Sequence, residues 1–239
     1  GNVGFHAAKF LTEEDGVKVT AIIERDGAII NDDGLDIEAV HHHRLENGGV
    51  KGFPGSEHVE DGHSILEKEC DILLPAALES QITRENADRI KTNLIAEAAN
   101  GPVTYGADKI LREKGVVIIP DAYLNAGGVT VSYFEWIKNL SHIRFGRMER
   151  RYEEAQSRGL VSAIEEATGK TLNDITKDKL IAGPDEIDLV RSGLDDTMRG
   201  AYNRIRDIYL ERDKVVDLRT AAFVLAIEHI ADCYQSMEL

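Results

Sequence analysis

The chain has 239 residues, of which 42% are hydrophobic and 30% charged, a globular balance that excludes a disordered or fibrous class. Its length suits one α/β domain with an appendage, or two small domains. A formal net charge of -15 repels nucleic acid and anionic lipid, and no stretch approaches the ~20 apolar residues of a membrane span.

The first residues, Gly1-Asn2-Val3-Gly4, read as the back half of a G-x-G-x-x-G loop running into a helix, with Val3, Ala7, Phe10 and Leu11 near helical spacing. In this reading the strand and first glycine of such a loop lie outside the 239 residues. The β-branched run Val17 to Ile23 predicts a strand ending in Glu24, where a dinucleotide fold holds the cofactor ribose. Asp26-Gly27 and Asn31 to Gly34 are turn signals around a short Ala28–Ile30 run, a small hairpin or arm. A helix is expected over Asp36 to Glu46, then a loop rich in glycine (Gly48, Gly49, Gly52, Gly55).

Cys70 to Pro75 has a buried-strand pattern, and a helix is expected from Thr83, with Thr83 as its N-cap. Asn93 to Ala96 predicts a strand, Gly106 to Lys114 a helix, and Val116 to Ile119 a strand closed by Pro120. This alternation predicts one doubly wound, Rossmann-like, mostly parallel sheet. Beyond Asn125 the chain is expected to be largely helical. Gly127 to Leu140 is apolar and aromatic, Arg144 to Arg158 is strongly charged, and Gly159 to Pro184 is weakly patterned. Ile187 to Glu211 and Asp217 to Tyr234 predict two long helices. The expected domains are 1–140 for the dinucleotide, 141–185 as an insert, and 186–239 as C-terminal helices.

Several residues carry candidate chemistry. Gly1, Asn2 and Val3 would present backbone N–H groups at a helix N-terminus to a pyrophosphate. Glu24 would accept from ribose hydroxyls and repel a 2′-phosphate, which favours NAD, whereas Arg25 would admit that phosphate and hence NADP. Small Ala76 and Ala77 after one strand, Asn100 after the next and Asn125 after the third would converge on the carboxyl edge of the sheet. Adjacent helical residues point apart, so His41-His42-His43 predicts a solvated face, and no metal site is expected. Arg147, Arg150 and Arg151, interleaved with Glu149, Glu153 and Glu154, predict an exposed salt-bridged helix. Cys70 and Cys233 lack C-x-x-C spacing, as expected in a reducing compartment.

Gly1 to Gly4, Gly52-Phe53-Pro54, Asp71 to Ala77, Asn100-Gly101-Pro102, Leu124 to Trp136 and Asp217 to Phe223 together closely resemble the glutamate dehydrogenase family, over nearly the whole chain. The resemblance implies oxidative deamination of L-glutamate to 2-oxoglutarate and ammonia with NAD or NADP. It implies a homo-hexamer, in the cytoplasm or, for an animal source, the mitochondrial matrix. It implies nicotinamide-side roles for Ala76, Asn100 and Asn125, and substrate contacts from Val129 and Ser132. The family's catalytic lysines and aspartate belong to a substrate domain without counterpart here, so no catalytic residue is expected in this chain. Ala98 stands where the family has glycine, and Gly159 to Pro184 is a shortened counterpart of an antenna. Ser132, able to meet a distal carboxylate, favours glutamate over the apolar substrates of the related leucine, phenylalanine and valine enzymes. A non-catalytic nucleotide-binding assembly module is the reading from outside the enzymes.

Overall fold

The computed structural model describes residues 1–141, 150–181 and 186–237, which form two compact units. One comprises Gly1–Asn125 with Ile205–Leu239, and the other Ala126–Arg204.

The first unit opens with α1 (Asn2–Glu13), N-capped by Gly1, with no side chain bonded to its first amides. Then come β1 (Ala21–Glu24) and β2 (Gly27–Ile30), antiparallel, with Glu24 opposite Gly27 across the two-residue Arg25-Asp26 turn. Asp36 caps α2 (Ile37–Asn47), its carboxylate accepting from the Ala39 N–H. The strand β3 (Glu57–Val59) then pairs antiparallel with β2. These elements enclose a core of Ile29, Leu35, Ile37, Val40 and Val50, with Phe5, Val19, Ile22 and Phe53 packed on it.

A second sheet is parallel. It holds β4 (Ile72–Leu73), β5 (Leu94–Ala96) and β6 (Val117–Ile119) in sequence order, with α3 (Tyr105–Glu113) crossing between the last two. Its core is Ile82, Ala87, Ile90, Ile95, Val103, Ala107, Leu111 and Ile118. After β6 come the single turn α4 (Asp121–Leu124) and, at the far end of the chain, α9 (Leu218–Ser236), capped by Asp217. Ala221 and Ala222 of α9 pack against Ile205 and Ile208 in a third apolar cluster.

The second unit holds α5 (Ala126–Ser141), α6 (Arg150–Thr168), α7 (Asp174–Ile181) and most of α8 (Glu186–Glu211). Arg147 and Glu149 of the charged stretch lie outside the described residues, as do the side chains of Arg150, Arg151 and Glu153. Glu154 stands 4.0 Å from Arg158 one turn on.

Two expectations are corrected. The strands form two three-stranded sheets rather than one, because the Arg25-Asp26 turn folds β2 back on β1 and turns that ladder antiparallel. β1 and β4 are therefore both edge strands. The helix expected from Thr83 is only a short 3₁₀ turn, Ala87–Arg89. Asn86 explains this: its Oδ1 accepts from Thr83 N–H and its Nδ2 donates to Gln81 O, closing a local turn in competition with the helix ladder.

Candidate functional site

Glu24 closes β1 beside the start of α1. The terminal ammonium of Gly1 pairs with its Oε1 at 2.8 Å, and Arg44 Nε of α2 stands 4.0 Å from the same atom. The sequence-predicted loop (Gly1, Asn2, Val3) and ribose acid thus meet. Arg25 is exposed on the following turn. A Cβ added to Gly4 would sit 3.7 Å from that of Ala76, so the loop after β4 borders this helix start as well.

The three loops at the carboxyl ends of β4, β5 and β6 are tied together. Ala99 N–H donates to Pro75 O at 3.0 Å and Ser80 N–H to Gly101 O at 2.9 Å, joining the first loop to the second. Gly101 N–H donates to Asp121 Oδ2 at 2.8 Å, and Asp121 N–H to Glu97 Oε2 at 2.8 Å, joining the second to the third. On this frame the Asn125 side-chain amide donates to Asn100 Oδ1. Asn100, Asn125 and the Ala76-Ala77 segment are thereby held on adjoining loops. Val129 and Ser132 lie in the second unit, three residues apart on one exposed face of α5. Ser132 Oγ donates to Gly128 O of its own helix at 2.9 Å.

Beneath these loops lies an ionic cluster that sequence reasoning missed. Glu97 is fully buried and accepts from Arg219 Nη2 at 2.8 Å through both carboxylate oxygens. Arg219 Nη1 donates to Asp121 Oδ1 at 3.0 Å, and its Nε to Asp108 Oδ2 at 3.3 Å. Arg112 then ties Asp108 to Asp217, the cap of α9, at 2.6 and 3.0 Å. Burial pushes the Glu97 carboxyl above its usual range, against the pull of the Arg219 hydrogen bonds and charge. Two signals in the sequence pointed here. An acid follows a buried apolar strand, and an arginine sits in the first turn of a helix, where the dipole disfavours a cation unless a carboxylate offsets it.

The histidine run is also corrected. His41 stacks on Phe5 with ring centroids 3.8 Å apart, and His43 Nε2 meets Lys51 O at 3.1 Å, so only His42 stands on an exposed face. Among the described residues no group of three His, Cys, Asp or Glu side chains is placed to hold a metal ion.

Loops gathered at the carboxyl ends of a parallel sheet mark where open α/β proteins bind their ligands. The comparisons make this narrower. Residues 1–187 match the model of the Glutamate/Leucine/Phenylalanine/Valine dehydrogenase family, and the chain belongs to that family of oxidoreductases. It is 50% identical to a probable glutamate dehydrogenase of Sinorhizobium fredii over 97% of its length, which is 52% of that protein. It is 49% identical to a mitochondrial glutamate dehydrogenase of Dictyostelium discoideum over 99% of its length, 46% of that protein. The chain therefore spans about half the length of the curated relatives it matches. Among solved structures, glutamate dehydrogenase from Peptoniphilus asaccharolyticus is similar over 99% of this chain and 45% of its own, with TM-score 0.64 and 26% identity. The hetero-hexameric enzyme from Thermus thermophilus shares the fold with TM-score 0.70 and 20% identity over 97% of this chain and 44% of its own.

Proposed function

We propose that this chain is the cofactor-binding part of an NAD(P)-dependent glutamate dehydrogenase, with the catalytic substrate domain encoded outside these residues. The observation that carries the reading is the match of residues 1–187 to the dehydrogenase family, with Glu24 closing β1 as the ribose acid of that fold would. A helix start with no side-chain cap suits a pyrophosphate, and a carboxylate at the end of β1 suits the ribose hydroxyls. The residues fit the cofactor in kind: amides for phosphate, an acid for ribose, and paired Asn100 and Asn125 for a carboxamide. When bound, the nicotinamide ring would exchange hydride with the α-carbon of glutamate.

In this reading Gly1, Asn2 and Val3 donate backbone N–H groups, and Glu24 selects the ribose. Ala76, Ala77, Asn100 and Asn125 orient the nicotinamide end. Val129 and Ser132 meet the substrate side chain, Ser132 by donating to its distal carboxylate. Glu24 favours NAD, whereas Arg25 and Arg44 keep a 2′-phosphate acceptable. The domain division is 1–140, 141–185 as a shortened antenna, and 186–239. The full protein is proposed to be a homo-hexamer acting on L-glutamate and 2-oxoglutarate, in the cytoplasm or the mitochondrial matrix according to source.

Calorimetric titration of the full-length protein with NADH and NADPH tests this. NADH is expected to bind about tenfold more tightly, a margin of one charged hydrogen bond, and Glu24→Ala to erase the difference. Binding of neither nucleotide would overturn the assignment. The 239-residue chain by itself is expected to form no NADH from NAD and glutamate, and turnover by it would overturn the placement of catalysis elsewhere. Faster turnover of leucine than of glutamate by the full protein would remove the role given to Ser132.

A further inference from the structure

Arg219 is 98 residues from Asp121 and 122 from Glu97, yet one guanidinium bonds to both. Those two carboxylates are the roots of the two loops that carry Asn100 and Asn125. Glu97 begins the first loop at the end of β5, and Asp121 begins the second at the end of β6. Asp121 couples them again, because its other oxygen accepts from Gly101 N–H at 2.8 Å while its carbonyl accepts from Asn125 N–H at 3.2 Å. A shift of the Asp121 carboxylate therefore moves both asparagine loops.

We propose that Arg219 is a positioning residue: through Glu97 and Asp121 it sets the spacing of Asn100 and Asn125, and with it the seat of the nicotinamide end of the cofactor. The inference rests on the proposed reading of those two asparagines. It deepens that reading by assigning a role to a residue of the last helix, which itself touches neither asparagine. The planar fork of arginine suits the task, since it serves Glu97, Asp121 and Asp108 from separate nitrogens at fixed angles. A lysine ammonium is a single point that cannot hold all three. Full burial of Glu97 stiffens the tie, because an unpaired carboxylate there has no water to turn to.

The molecule supplies its own control. Arg112 belongs to the same ionic cluster and also secures α9, through Asp217, but it contacts neither asparagine loop. If Arg219 merely anchored the helix, loss of either arginine would act alike on ligand binding.

The test uses the full-length protein and two probes, NADH and ADP-ribose, the second lacking the nicotinamide ring. Arg219→Lys is expected to weaken NADH about tenfold, the loss of one or two charged hydrogen bonds' worth of alignment. ADP-ribose should stay within about twofold, because it relies on the Gly1 to Val3 and Glu24 end. Asp121→Asn, which keeps the side-chain shape but removes the charge facing Arg219, should give the same selective loss, and it serves should Arg219→Lys fail to fold. Arg112→Lys should leave both probes within about twofold while lowering the melting temperature. Equal losses for the two probes, unchanged NADH binding in the Arg219 and Asp121 variants, or an NADH-selective loss in Arg112→Lys would each overturn the proposal. Failure of the unmodified protein to bind either probe would instead remove the cofactor reading on which it stands.

Discussion

The two sheets of the first unit are secured in opposite ways. Around β1–β3 the lock is steric. Gly27 has φ of 120°, and a Cβ there would lie 2.4 Å from Val59 O, while a Cβ on Gly49 would lie 2.1 Å from Asp26 Oδ2. The single carboxylate involved, Asp26, accepts from the Lys51 N–H at 2.9 Å through Oδ2, while its Oδ1 is buried with no hydrogen-bond partner among the described residues. Around β4–β6 the lock is ionic, with Glu97, Asp108 and Asp121 gathered on Arg219 beneath the loops. A steric lock fails when something is added. An ionic lock fails when something is taken away, and it leaves a stranded charge behind.

The two locks separate most clearly when the cation is removed. Arg219→Met should cost about 3–5 kcal/mol by leaving Glu97 buried and unpaired, measured by urea unfolding, and Glu97→Gln in the same chain should recover part of it. A loss under about 1 kcal/mol would show that the cluster is solvated and the contrast false. Next in size is Gly27→Ala, where left-handed strain and overlap with Val59 O should together cost about 2–4 kcal/mol. Its effect should be independent of salt concentration, and a salt-dependent loss would count against a steric cause.

Gly49→Ala displaces the Asp26 carboxylate from Lys51 N–H and should cost about 1–3 kcal/mol. The smaller Asp26→Asn change sharpens the same point through pH. Burial raises the Asp26 carboxyl, but the Lys51 amide, its own and that of Val50 outweigh this and hold it below its ordinary 3.8. A depressed acid stabilises the fold above 3.8 and loses that stabilisation as pH falls through the lower, folded value. Asp26→Asn should therefore flatten the acid limb of the stability profile below 3.8, and an unchanged limb would exclude the effect. The smallest expected effect is that of Lys51→Ala. Its ion pair with Glu60 is exposed on both sides, so no change in melting temperature is expected beyond measurement scatter.

The steric half was largely legible in the sequence, because its signals are local. Asp26-Gly27 named the hairpin, the run Asp36 to Glu46 the helix, and the glycine cluster the loop. What the sequence did not disclose was that the hairpin would split the sheet, since strand pairing depends on which edges find partners. The helix expected at Thr83 failed for a local reason: Asn86 bonds back to Thr83 and Gln81 and closes a turn in place of the helix ladder. In the candidate site, Gly1 and Glu24 could be matched through a spacing shared by dinucleotide folds, and Asn100 and Asn125 through their places after strands. The ionic half left only two hints, because its partners stand up to 122 residues apart and no periodicity links them. Val129 and Ser132 were read from a resemblance alone.

That separation also orders events in time. A chain made from its N-terminus completes β4, β5 and β6 long before residue 219 leaves the ribosome, an interval on the order of ten seconds at roughly 5–20 residues per second. Until then Glu97, Asp108 and Asp121 are three carboxylates crowded together without the guanidinium that reconciles them, and self-repulsion keeps the loops apart. If Arg219 sets their spacing as proposed, the asparagine pair takes that spacing only once the helix that carries it docks.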